Sequence, residues 1–360
     1  MRLRLRNPPR AAVQVVARQF GARSEPTTGD ADLTFAWVDR VGGHKLRLIG
    51  RGEAGWDEDG FYLLSGSEPQ AGRMELPFDQ LGPGCELRIE RSMTRPPLLV
   101  HLVNVILLAR GTCVLHASAA SVDGRGIAAP GWSKGGKTEA LLAMLDRGAG
   151  LIADEWTYID PATRRMTGSP GPIRLEDWHL DELPSLRALV TPGARRRVRM
   201  ARAAQALYGR MRRRIRRVPG GRYLDRAARL LDDERHADIP AAGLRTRPDV
   251  SVALDRVAWM VASSEPGISI VPAAATEVAA RMVFSHQHHR EALLAAYLQF
   301  RFAFPDRPSQ LLDTLEARER DLLSQVLTSE IPAIEVSHGP RPSIRDLGRE
   351  LARFSGGSPS

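Results

Sequence analysis

Residues 131–138 read Gly-Trp-Ser-Lys-Gly-Gly-Lys-Thr, and no other stretch of the chain limits its fold as tightly. They satisfy G-x-x-x-x-G-K-[ST] without a mismatch. Glycines in this pattern let backbone N–H groups turn inward around a polyphosphate. Ahead of the loop, "TCVLHASA" and "IAA" read as strands on either side of a "DGRG" turn. Behind it, residues 138–147 place Leu141, Leu142 and Leu145 at helical spacing, with Gly148 where a helix-ending glycine belongs. The strand "LIADEWTYID", stopped by Pro161, follows. Strand, loop, helix and strand make the unit of an α/β nucleotide-binding core.

The chain has only three lysines, Lys45, Lys134 and Lys137, against 48 arginines. Two of the three lie in this loop. A mobile ammonium reaches β- and γ-phosphates where a planar guanidinium does not fit, which is the role expected of Lys137. Thr138 offers a hydroxyl to Mg²⁺, and the helix starting there adds its positive dipole end. Lys134 is expected to supply an additional phosphate contact or to be a plain loop residue. His116 stands on the strand 21 residues before Lys137, and Asp154-Glu155 close the strand 17 residues after it. In a parallel sheet both flanking strands bring their ends to the loop. A carboxylate pair there can hold Mg²⁺ and accept the proton of an attacking hydroxyl. An imidazole beside it can orient or polarise the carboxylate, although a histidine on an apolar strand also suits a core position.

Residues 1–95 alternate apolar and polar positions in short runs and are expected to form a β-rich module of antiparallel strands. An apolar helix is expected at 97–109. The nucleotide-binding core then spans 96–352, interrupted by an arginine-rich helical insertion at 193–230, with a disordered tail at 353–360. That insertion holds 14 arginines, and Leu207, Met211 and Ile215 recur every four residues as one apolar stripe. It reads as a solvated or acid-docked helix, or as a dock for an acidic partner. Only Tyr208 and Tyr223 interleave it, which argues against a single-stranded nucleic acid platform. Arg245 and Arg247, ahead of the strand at 251, are candidates for placing a guanidinium on the γ-phosphate, or for the surface. Ser285-His286-Gln287-His288-His289 invites a metal reading. With no fourth ligand of obvious type, and Ser285 suited to capping "HREALL", a solvated helix start is the expectation.

A net charge of +9 and a pI near 10.3 favour an anionic partner. Cys85 and Cys113 build neither a disulfide framework nor a CxxC pair, as suits a reducing cytoplasm. No apolar region follows the basic N-terminus. Leu98–Ala109 is too short for a bilayer span and contains His101 and Asn104. A soluble cytoplasmic protein with no membrane partner is expected.

"LHASAASVDGRGIAAPGWSKGGKTEALLAMLDRGAGLIADEWTYID" resembles the HPr kinase/phosphorylase family and its wider HPr-kinase-like relatives. His116, Ser133, Gly136, Lys137, Thr138, Glu139 and Asp154 match the family pattern in order and spacing. The resemblance implies a fold related to ATP-dependent phosphoenolpyruvate carboxykinase. It implies ATP held by Gly131, Ser133, Lys134, Gly135, Gly136, Lys137, Thr138 and Glu139, with Mg²⁺ at Thr138, Asp154 and Glu155. Asp154 would be the base for a substrate serine, with His116 and Glu155 assisting. Two positions depart from the pattern: Lys134 replaces a glycine, and Glu155 replaces a second aspartate. No glycine-rich signature of the bifunctional enzymes occurs between 160 and 250, which argues against HPr as substrate and against a phosphorylase reaction. The implied activity is an ATP-dependent serine kinase acting on a protein or ribosomally made peptide, with the arginine tract as a dock for an acidic one. A small-molecule kinase or carboxykinase-like enzyme, and a non-catalytic nucleotide-sensing module, are the alternatives. Relatives form rings, so the resemblance admits a homo-oligomer.

Overall fold

The computed structural model describes residues 1–20, 29–43, 45–50, 52–66, 72–168, 171–215, 236–240 and 251–356, with the backbone alone at 205, 209 and 211–215. It is a mixed α/β chain. Strands β1 (Leu3–Arg6), β2 (Leu33–Val38), β3 (Arg47–Ile49), β4 (Ala54–Trp56), β5 (Phe61–Leu64), β6 (Arg73–Glu75) and β7 (Cys85–Glu90) form one sheet, in the order β1-β2-β7-β6-β5-β4-β3. The alternation expected from the sequence is plain in β7, where Leu87 and Ile89 are buried while Glu86 and Arg88 face outward. The antiparallel expectation holds from β3 through β6 to β7 but fails at the other edge. There β1, β2 and β7 run parallel. Parallel neighbours need a crossover, and helix α1 (Arg10–Phe20), burying Ala12 and Val16 one turn apart, lies in the one from β1 to β2.

Helix α2 (Leu99–Ala109), almost wholly buried, leads into the hairpin of β8 (Cys113–Val122) and β9 (Arg125–Pro130). Asp123 and Gly124 at its turn both take positive φ, 50° and 80°, as the tight two-residue hairpin turn demands. The 131–136 loop and helix α3 (Lys137–Asp146) follow. Then come β10 (Gly150–Ala153), β11 (Trp156–Ile159), β12 (Arg165–Gly168), a hairpin strand β13 (Ile173–Glu176) and the short helix α4 (His179–Glu182). Helix α5 (Pro192–Ile215) precedes β14 (His236–Ile239), the partner of β13. The chain continues with β15 (Val252–Ala262), β16 (Ile268–Ala274), α6 (Ala275–His289), α7 (Glu291–Ala303), α8 (Gln310–Asp313), α9 (Leu315–Val326), β17 (Pro332–His338) and α10 (Ile344–Ser355).

The second sheet runs β10-β8-β11-β12-β15-β17-β16, with β9 between β8 and β15. Pairings β8–β9, β9–β15, β15–β12, β12–β11 and β11–β8 close a circuit, so this sheet curls on itself. β9, β15 and β17 are parallel and end at one edge. β8 is antiparallel to β9, against the parallel arrangement expected for the strand before the loop. Its start, not its end, therefore lies beside the loop, with Ala117 opposite Pro130.

One apolar core joins the first sheet to α2, β8 and helices α6, α7 and α9. Phe61 meets Phe300 at 5.8 Å between ring centroids, and Phe78 meets Tyr297 and Phe300 at 5.4 Å. A second core lies between the curled sheet, α3 and α10. Among the described side chains of α5 the buried ones are Val198 and Ala201, whereas Leu207, the first of the expected stripe, is 59% exposed; the side chains of Met211 and Ile215 lie outside the described ones. Small residues let α5 lie close to its neighbours, and Arg202 reaches Asp177 and Asp181. Arg245, Arg247 and residues 216–230 of the expected insertion lie outside the described residues. Among the described residues, no helix is long and apolar enough to cross a membrane.

Candidate functional site

The loop at 131–136 continues β9 upward, and Gly131 still bridges Met260 of β15. Gly136 takes φ 101° at the N-cap of α3, and a Cβ there would overlap the His338 ring. Only glycine fits. Lys134 also has a positive φ, 61°, at the position where the sequence resemblance has a glycine. Trp132 stands half in solvent, stacked on His288 at 4.9 Å. Lys137 is buried, its Nζ donating to Trp132 O at 2.8 Å. Burial pushes its ammonium down to about 8, against the pull of Glu155, Asp154 and Glu139.

Asp154 owes its place to a kink. Ala153 pairs with Ala119 and Trp156 with His116, so β10 and β11 are one strand broken at Asp154-Glu155. Glu155 takes φ 69°, and Trp156 N–H closes a tight turn onto Asp154 O at 2.9 Å. A non-glycine residue in this region is a local cost that concentrates at functional sites. The kink brings the half-buried Asp154 carboxylate to the start of α3, where Thr138 Oγ1 donates to its Oδ1 at 3.3 Å. Burial first, and the charge of Glu155 second, push Asp154 up to about 7; Lys137 and Thr138 pull the other way. Such a carboxylate exchanges a proton readily near neutral pH. The Thr138 hydroxyl and the Asp154 carboxylate are oxygen donors of the kind Mg²⁺ takes, and Glu155 is exposed beside them.

His116 packs behind this group. It is buried, its ring lies 5.0 Å from Trp156 and 3.8 Å from His289, and its Nδ1 is 3.4 Å from Ser285 Oγ. Burial, then Lys137 and the neighbouring histidines, hold it far below the usual range, so the ring is neutral. No hydrogen bond joins it to Asp154 among the described residues. The expectation of a solvated helix start at 285–289 is overturned, because these residues form the last turn of α6 and not the first turn of a helix. The turn to α7 is the single residue Arg290, so no capping signal marks it in the sequence. Ser285 and His286 are buried. His116 N–H donates to His286 Nε2 at 3.0 Å, so His286 carries its proton on Nδ1 and donates to Glu319 at 3.0 Å. Arg290 makes two bonds to the same carboxylate, at 2.6 and 2.8 Å. Among the described residues no group of three metal-ligating side chains forms.

Two further histidines escaped the sequence reading. His338, at the end of β17, sets one ring nitrogen 3.0 Å from Gly135 O and the other 2.7 Å from Gly339 O. It fixes the peptide that precedes Gly136. His179 Nδ1 accepts from Glu176 N–H at 3.0 Å, which puts its proton on Nε2, facing Glu139 at 3.1 Å. Burial pulls Glu139 upward, but the hydrogen bond from His179 outweighs it and the carboxyl is held below its usual range. Glu139 thereby ties α3 to the segment leading into α5. Neither histidine belongs to a local pattern, so only the fold reveals them.

The structure thus gathers Gly131 to Thr138, Asp154 and Glu155 at one edge. Ser133 is half-buried and Lys134 exposed on the rim, and His116 lies behind. Comparison with protein-family models finds no match, and no curated protein is significantly similar to the chain.

Proposed function

We propose that the chain is an ATP-dependent P-loop kinase of the HPr-kinase type, acting on a serine hydroxyl of a protein or peptide. The observation that carries this reading is the Thr138–Asp154 contact, beside buried Lys137, whose Nζ bonds the carbonyl of Trp132 in the glycine-rich loop. Backbone N–H groups of 131–138 hold the β- and γ-phosphates, and Lys137 exchanges its loop carbonyls for phosphate oxygens. Thr138 and Asp154 would hold Mg²⁺, which neutralises charge on the phosphates when bound. Asp154 takes the proton of the serine hydroxyl as that oxygen bonds to the γ-phosphorus. The bond from that phosphorus to the bridging oxygen breaks, and ADP departs with the electron pair. His116 and His286 act as positioning residues, backing the strand that presents Asp154.

A peptide-sized acceptor suits the open rim of Trp132, Lys134 and Glu155, all exposed. The exposed arginines of α5 suit an acidic acceptor, and a cytoplasmic, oligomeric enzyme belongs to the same reading. The test is phosphoryl transfer from ATP and Mg²⁺ to serine-bearing proteins and peptides encoded beside it, read by mass spectrometry. One phosphate gained on a serine, and lost in Asp154→Asn while ATP still binds, is the expected result. Tight ATP binding with no phosphorylated partner would move the reading to a small-molecule kinase. Failure to bind ATP would overturn it.

A further inference from the structure

The carboxyl edge of the parallel strands extends well past the glycine-rich loop. Loops leaving β9, β15 and β17 are stitched side by side there. Gly131 bridges Met260, Ser263 N–H donates to His338 O at 2.7 Å, and Gly339 N–H donates to Gly267 O at 3.1 Å. The His338 ring spans the remaining gap, one nitrogen at Gly135 O and the other at Gly339 O. The 339–343 loop therefore lies one imidazole away from the 131–136 loop. On its far side is an open cavity of about 900 Å³, a volume suited to a small ligand. Half-buried Ile268 and Ile270 of edge strand β16, with Pro340 and Pro342, give it apolar walls, and Arg341 and Asp346 lie at its margin.

Direction along the sheet decides what this cavity can take. Asp154 lies on the β8 side of the loop, whereas β15, β17 and β16 succeed one another on the opposite side. A nucleotide whose terminal phosphate meets Asp154 points its other end away, across the ends of β15 and β17. With strands about 4.8 Å apart, β17 and β16 lie roughly 10–14 Å from β9. Open α/β sheets bind ligands in this kind of crevice beyond the strand ends.

We infer that this cavity seats the nucleoside of the triphosphate whose phosphates the 131–138 loop holds. The assignment rests on the kinase reading above. The flat base lies against the isoleucine and proline walls, and polar atoms at the margin face the ribose and the base edge. His338 is the partition between the phosphate half of the site and the nucleoside half.

Calorimetry with ATP and with inorganic tripolyphosphate, on wild type, Ile270→Trp and Ile268→Asp, tests the assignment. Wild type is expected to bind ATP at least about tenfold more tightly than tripolyphosphate. Both variants are expected to bring ATP down to the affinity of tripolyphosphate and to leave tripolyphosphate binding unchanged, which also reports that the variants are folded. ATP affinity unchanged in both variants, or equal wild-type affinities for the two ligands, overturns the nucleoside site and leaves the phosphate loop standing. Wild type binding neither ligand overturns the kinase reading and this inference together. Photolabelling of wild type with azido-adenine ATP gives a second answer that no variant's folding affects. Label on 266–270 or 339–350 supports the site, and label confined elsewhere overturns it.

Discussion

At the scale of single residues, Gly136 and Asp154 carry the strongest constraints. Gly136 combines a φ of 101° with a Cβ direction filled by His338. Gly136→Ala therefore strains the backbone and displaces the ring that holds Gly135. A loss of about 1–3 kcal/mol in denaturant unfolding is expected, with ATP binding abolished. Asp154 sits at about 7 before any cation arrives. Its protonated form cannot ligate Mg²⁺, so protons compete with the metal. Mg²⁺ affinity should rise about tenfold between pH 6 and pH 8, and Asp154→Asn should flatten that slope. Lys137 works in the opposite direction, because its ammonium is lost as pH rises through about 8. ATP affinity should therefore fall above that pH, as titration calorimetry across the range would report. That these residues come together was legible, because their types and spacing are those that phosphate and metal chemistry would require. His338, His179 and His286 were not, since each acts through a partner at least 33 residues distant or through a fold-made contact.

At the scale of elements, the apolar helix expected at 97–109 and the strands and helix around the loop appear where their hydrophobic periods place them, and the misreadings concern a helix junction and the direction of strand pairing. The α6–α7 corner has one linking residue and no cap, so the histidine run was assigned to the wrong end of a helix. Direction of pairing is likewise invisible in an alternating pattern, which is why β1, β2 and β7 were expected antiparallel. The α6–α9 contact makes a sharp prediction. Glu319 is buried and accepts from both Arg290 and His286, and its carboxyl is held below its usual range by those partners against the cost of burial. Glu319→Ala leaves the Arg290 charge buried without its partner. Such a loss costs about 3–5 kcal/mol, to be read as a lowered urea midpoint. Replacing Arg290 and Glu319 together with apolar residues should recover a large part of that stability. If the double variant is no better than Glu319→Ala, the charge account is wrong and packing of α6 on α9 dominates.

At the scale of the whole molecule, the arginine excess is partly absorbed and partly free to act at long range. Arg202 is spent on Asp177 and Asp181, which answers the simplest expectation for a charged helix, that it docks on acidic neighbours. Arg195, Arg196 and Arg199 remain exposed on the first turns of the same helix. Through Asp177, His179 and Glu139 this helix is tied to the first turn of α3, which begins at the end of the glycine-rich loop. On the proposed reading a net charge of +9 would steer an acidic acceptor toward the exposed rim of that loop, and the steering would weaken as salt shortens the Debye length to about 8 Å near 0.15 M. Replacing Arg195, Arg196 and Arg199 with glutamate should therefore raise KM for an acidic peptide by about tenfold at low salt and little at high salt. ATP affinity should stay as in wild type, because none of the three touches the loop. An equal change in KM for a neutral peptide would mean that the substitutions disturbed α5 itself. Unchanged kinetics with loss of duplex binding would assign the arginines to nucleic acid instead, leaving the chemistry at Asp154 without a peptide dock on this face.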